Sequence, residues 1–310
     1  MLPKSRLLSF LLLGVGVALL VAGLVAPRFI NEDARLPLDL GARTFSLIDD
    51  AADTRLPDNR VATAPVTHQL HMEIQNPADE DSATVRVGET FMRGSQQEEL
   101  DRLISAEVWT YGVDRVSGEF LTSATLTDQL ASPVSEVAVE GHWLKLPAPA
   151  EQTTYEVFDP ALRETRPAEF AESLEMNGRT VYRYRQEIEP TNLATLYASP
   201  FNTIDFEDGQ GYRFHSATRD ILVDKLSGLV VEIREDIDSY YGTLEGEKRE
   251  QILTFEGRMP AEQVEAHLAD AAEVRDPATA DIIRWVIVGI GAVLALLGLA
   301  GAFGAFGRRR

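Results

Sequence analysis

The stretch Trp285 to Phe306, WVIVGIGAVLALLGLAGAFGAF, constrains this chain more than any other, because it carries no ionisable side chain. As a helix rising 1.5 Å per residue it is long enough to cross roughly 30 Å of hydrocarbon. A membrane-spanning helix is therefore expected over 282–306. Arg308, Arg309 and Arg310 follow it directly, and a basic cluster beside a span holds that end in the cytoplasm. Leu7 to Ala26 is a second uncharged run, preceded by Lys4 and Arg6. The expected layout is a cytoplasmic tail 1–6, a span 7–26, an extracytoplasmic domain 27–281, a span 282–306 and a cytoplasmic tail 307–310, in the plasma membrane. A cleaved secretory signal ending at Ala26 is the competing reading of the first run. Its uncharged length exceeds the usual 7–15 residues of a signal core, and Leu24 suits a small-residue cleavage site poorly.

The segment between the two runs is long enough to build one large core, and no Gly/Ser-rich or Pro-rich linker divides it. It holds all 49 acidic residues and 23 of the 29 basic ones, a net charge of about −26. Nucleic acid is excluded as a partner by that sign, and an anionic membrane surface would repel the domain. Solubility alone, as in a salty habitat, is the favoured account of such acidity. With no cysteine, the core and not disulfides must hold the domain, and thiol catalysis and thiolate metal sites are ruled out. The absence of cysteine and of any Asn-x-Ser/Thr sequon suits a bacterial envelope protein.

Arg35 to Val66 shows no clean period and reads as loop with one or two short strands. Beyond it the period is two. Strands are expected at His68–Gln75, Thr84–Met92, Val108–Val113, Val137–Leu146, Thr154–Phe158, Leu174–Met176, Arg179–Ile188, Tyr212–Ser216, Thr218–Val223, Leu229–Ile237 and Gln251–Phe255. Asn177-Gly178 is the preferred two-residue hairpin turn. Ser95 with Glu98 reads as a capping box for a short helix, and Pro260 opens a helix with Val264, Leu268 and Ala271 on one stripe. Thr191–Gly211 is expected to be an irregular surface loop. An internal echo stands out: VDRVSGEF at Val113–Phe120 and VDKLSGLV at Val223–Val230. Asp bonding the backbone two residues on and Gly with positive φ make this a hairpin chemistry used twice, or the trace of a duplication. The fold class expected is mainly β and antiparallel, an elongated closed or nearly closed barrel with few helices.

Residues for chemistry are sparse. His68, His71, His142, His215 and His267 form no His-Glu-x-x-His, and no nucleophile elbow, phosphate loop or dinucleotide fingerprint occurs. Asp205, Glu207 and Asp208 lack the spacing of a calcium loop and read as an acidic surface loop. No cofactor, metal site or catalytic residue is expected. The candidate ligand-binding residues are the strand aromatics Trp109, Tyr111, Trp143, Tyr182, Tyr184 and Phe214. They suit either core packing or the lining of an apolar cavity in a barrel. Tyr182 and Tyr184 alternate with Arg183 and Arg185, so one face of that strand is buried and the other wet.

Taken in order, NPADEDSATVRVGETF, WTYGVDRVSGEF, YEVFDPALRETRPAEF, NGRTVYRYRQEI and RDILVDKLSGLVVE, framed by the two spans, resemble an actinobacterial envelope family carrying the label PorA. The resemblance implies an elongated β-barrel with internal cavities, similar to the scavenger-receptor class B lipid carriers, and a part in lipoglycan maturation in mycobacteria and corynebacteria. It supplies no catalytic residues. The function expected is a non-enzymatic envelope protein that binds or shields a lipid or lipid-linked glycan. The alternatives are a glycan-acting enzyme using paired carboxylates, or a scaffold for membrane glycosyltransferases in which Gly289, Gly291, Gly298 and Gly301 give close helix contacts. A spanning porin is disfavoured, since it needs a lipid-facing apolar band that these charged strands lack.

Overall fold

The computed structural model describes residues 4–25, 34–94, 102–128, 133–274 and 277–303. The capping box at Ser95 and Glu98 and the terminal arginines lie outside them. The chain divides into two units, one holding the terminal helices and the other residues 35–274.

In the first unit, α1 (Lys4–Val25) and α3 (Pro277–Ala302) are apolar enough over Leu8–Val25 and Asp281–Ala302 to cross a membrane. They pack together through glycines. A Cβ on Gly291 would lie 2.9 Å from Gly16 O, and one on Gly298 would lie 2.5 Å from Leu13 N. Only glycine allows so close an approach of two backbones. Gly291 and Gly298 are thus taken up inside the chain, whereas Gly289 meets nothing within 4 Å. Gly298→Leu should push the helices apart, lengthening a spin-label distance between them by about 1–2 Å; an unchanged distance would refute this packing.

The second unit is a 13-stranded antiparallel sheet: β1 (Arg43–Arg55), β2 (Val61–Ala78), β3 (Ser82–Arg93), β4 (Leu103–Asp114), β5 (Ala124–Thr127), β6 (Ser135–Val137), β7 (Tyr155–Asp159), β8 (Glu164–Met176), β9 (Arg179–Asn192), β10 (Thr203–Phe206), β11 (Gly209–Asp224), β12 (Val230–Gly242) and β13 (Lys248–Arg258). The pairing order is β6-β5-β4-β3-β2-β1-β13-β12-β11-β9-β8-β7, with β10 beside β11. Helix α2 (Ala261–Glu273) buries Val264, His267, Leu268 and Ala271. His267 meets Phe45 edge-on, and Gln263 Oε1 accepts from Ser46 N at 2.8 Å.

The expected barrel closure is not made by the strand ladder, which ends at β6 and β7. Short bridges cross the gap instead: Val113 with Phe120, Phe120 N to Gly141 O at 3.0 Å, and His142 with Val157. The strand expected over Val137–Leu146 accordingly stops at Val137. Gly141, at φ +72, brings the backbone close under Glu156 O and pulls the chain out of the sheet.

Two further corrections have local causes. Residues 43–66, expected to be mostly loop, hold β1 and the start of β2. A bulge between Asp49 and Ala52 shifts the register, which breaks the period-two pattern in the sequence. Asp49 holds it by accepting from Ala51 N at 2.9 Å and Glu256 N at 2.7 Å. The acidic segment is the exposed tip of the β10–β11 hairpin: Glu207 and Asp208 form its turn, as a surface loop would, but Asp205 lies in β10 opposite Gln210.

The Asn177-Gly178 turn has φ of 50° and 77°, as a type I′ hairpin requires. The two echoed turns share one geometry. Asp114 Oδ1 accepts from Val116 N and Ser117 N, and Asp224 Oδ2 accepts from Ser227 N. Each glycine N–H, Gly118 and Gly228, returns to its aspartate carbonyl at 2.9 Å. Both turns close on one side chain: Lys145 Nζ donates to Val116 O at 2.9 Å and to Ser227 O and Leu146 O at 3.1 Å.

Candidate functional site

The six predicted aromatics are buried, between 0 and 7% exposed, and fall into three groups. Trp109 and Tyr111 on β4 meet Trp143, with Phe120 and Phe158 completing the cluster at ring distances of 4.7–6.2 Å. These rings pack in the gap that the ladder leaves between β4 and β7, alongside the short hydrogen-bonded bridges that cross it. Tyr182 and Tyr184 pack with Phe170 and Tyr155. Phe214 stacks on Tyr240 at 5.4 Å.

Below these rings lies an ionic network that a pattern-based reading misses. His68 Nδ1 faces Glu235 Oε2 at 2.7 Å and its Nε2 faces Glu89 Oε1 at 3.0 Å. Arg219 pairs with Glu235 and reaches Asp159 Oδ2 at 3.1 Å and Gln186 Oε1 at 2.6 Å. A ring with carboxylates at both nitrogens must donate from both, so it is an imidazolium. Burial alone would push His68 down, but Glu235 and Glu89 outweigh it and lift the ring to about 9. Burial likewise opposes ionisation of Glu235, yet Arg219 and His68 hold it far below the usual carboxylate range. One signal was available: His68 shares the parity of Leu70 and Met72, so its charge sits on the inward face of β2. The cavity beside the network, bordered by His68, Glu89, Trp143, Arg219 and Glu235, measures about 20 Å³. That is room for about one water molecule, whereas pockets for drug-sized ligands run to roughly 300 Å³ or more.

A polar seam leads from the network to one end of the sheet. Glu107 Oε2 accepts from Trp109 Nε1 at 3.1 Å. Burial, then the charge of Glu89, push Glu107 up to about 8 against the pull of Arg163 and Arg213. Arg163, at φ +58, pairs with Asp128 at 2.9 Å and lies 3.8 Å over the Tyr197 ring. Tyr197 forms part of an open cleft of about 390 Å³ with Ala194, Ala198, Ser199, Pro200 and Asn202. None of the six predicted aromatics lines it. The pointer in the sequence was the Thr191–Gly211 stretch, since a long irregular segment inside a compact domain is commonly functional. Part of that stretch is ordered: Asn192 caps a 3-10 turn, Leu193–Thr195, by accepting from Ala194 N at 3.0 Å. Among the described residues no three His, Asp or Glu side chains group as metal ligands.

An antiparallel β-domain whose chain begins and ends in helices long and apolar enough to cross a membrane defines a class of membrane-associated β-protein. Residues 8–300 match the family described as "Porin PorA", and the chain belongs to it. A protein of Corynebacterium amycolatum called "Porin PorA" is 22% identical over 329 aligned positions, covering 82% of each chain. A protein of the same name from Corynebacterium resistens is 23% identical over 229 positions, covering 61% of this chain and 54% of that one. The relatives' name weighs against the expectation that a porin is disfavoured.

Proposed function

We propose that this protein is held in the plasma membrane by α1 and α3, with both termini cytoplasmic and residues 27–281 outside. Its β-domain binds a lipid-linked glycan, without chemistry on it, in assembly of the cell envelope. The observation that carries this reading is the contrast between a filled interior and an open surface cleft: a ligand of that size is held at the surface and not in a tunnel. The test is native mass spectrometry of the full chain, purified in mild detergent from its own membrane, with organic extraction. A stoichiometric glycolipid is expected. A clean apo mass under conditions that keep annular lipid would sink the proposal.

The relatives' name favours a second reading, a conducting channel. Against it, the outward faces of β8, β9 and β13 expose Glu169, Glu172, Arg185, Glu187, Glu256 and Arg258, where a spanning barrel needs an apolar band. Purified protein in a planar bilayer separates the two: defined single-channel steps would establish conduction, and a silent bilayer would favour the binding role.

A further inference from the structure

We infer that the cleft between β9 and β10 is a sugar-binding site that recognises a short neutral segment of a glycan through Tyr197 and Asn202. This rests on the binding role proposed above and names its site. Asn202 is 1% exposed, and its Nδ2 donates to Leu193 O at 3.2 Å and Tyr197 O at 3.0 Å. Two carbonyl partners fix the orientation of the amide, because only the NH₂ end can donate to them. Its Oδ1 is left buried with no donor among the described residues. A buried acceptor without a donor is costly, and a sugar hydroxyl relieves that cost once a small shift of the cleft wall uncovers Oδ1.

Tyr197 gives the cleft a rigid aromatic plate. Its hydroxyl donates to Ala161 O at 2.9 Å, and the Arg163 guanidinium covers its ring. Arg163 is itself held in the left-handed region at φ +58 and tied to Asp128. A non-glycine residue kept there is a strain that the surrounding structure must maintain. The cleft's own lining carries no charge: Ala194, Tyr197, Ala198, Ser199, Pro200 and Asn202 offer an aromatic ring, hydroxyls and an amide. That chemistry suits the hydroxyls and C–H faces of a sugar rather than a phosphate, which would call for cations in the lining.

The test uses the full chain in a detergent without a sugar head group, titrated with mannotetraose, maltotetraose and cellotetraose by calorimetry and saturation-transfer NMR. At least one should bind saturably. Ala198→Trp and Pro200→Trp, both at exposed positions, fill the cleft without disturbing the Asn202 framework and should each weaken binding at least tenfold. Leu244→Trp, on the exposed β12–β13 turn, should leave it unchanged. No saturable binding by any of the three sugars, or full binding by both cleft-filling variants, would overturn the assignment. Glycolipid that still co-purifies with the cleft-filled variants would leave the binding role standing and remove this site from it. Loss of both signals in the wild type would remove both.

Discussion

Replacing Glu235 with leucine should destabilise the β-domain by about 3–5 kcal/mol, the usual cost of stranding a buried charge by removing its partner. Glu235 is 2% exposed and serves two cations, accepting from His68 and from Arg219. Without it Arg219 keeps Asp159 and His68 keeps only Glu89, 3.0 Å away. For a domain of this size the loss should lower Tm by roughly 10 °C. Combining Glu235→Leu with His68→Phe removes one charge of each sign and leaves Arg219 paired with Asp159. The new ring would take the place of the imidazole that stacks 3.9 Å from Phe91. The double variant should therefore recover about 1–3 kcal/mol relative to simple addition of the two single changes. Strict additivity in urea melts would show that the charges do not act together.

The same network fixes a pH dependence. A folded-state value of about 9 for His68, against an ordinary 6.5, means that the ring binds its proton more tightly when folded. Its contribution is fully present below pH 6.5 and is lost as pH rises through 9. The change corresponds to about 3 kcal/mol. Glu235 works from the other side: its lowered value gives a contribution present above the ordinary carboxylate range and lost only in strong acid. The stability gap between wild type and His68→Phe should accordingly narrow between pH 6.5 and 9. A gap that stays constant would mean that His68 is neutral in the folded protein.

The second large effect is expected at Gly228. Its φ is +67, and an added Cβ would collide with Leu146 O and lie 2.7 Å from Pro147 O. Gly228→Ala should cost about 3 kcal/mol or more, since left-handed strain and a backbone clash act together. Gly178, at φ +77 with nothing within 4 Å, supplies the contrast. There alanine meets strain without collision and should cost about 1 kcal/mol. Equal losses at the two positions, measured by urea denaturation, would mean that backbone strain alone matters and that the packing of the echoed turn against Leu146 does not.

What this sequence determines by itself is whatever depends on neighbouring residues. The two uncharged runs become α1 and α3 because helix length and hydropathy are local quantities, and the Asn177-Gly178 turn closes because two adjacent residues tolerate positive φ. The alternation of Tyr182 and Tyr184 with Arg183 and Arg185 places β9 correctly for the same reason. Where a strand breaks its own period, as at the Asp49–Ala52 bulge, the pattern is lost although the strand persists, because the partners β2 and β13 set the register. That the sheet stays open also lies beyond the sequence: its ladder ends at β6 and β7, and β4 and β7 are bridged by aromatic packing and by chain drawn from residues 118–146. Tertiary structure alone decides the ionic network and the cleft. His68 and Glu235 are 167 residues apart, and Arg163, Asp128 and Tyr197 come from three different connections. No short-range pattern records such meetings, because the charge of one residue is tolerated in the core only when distant residues arrive to balance it.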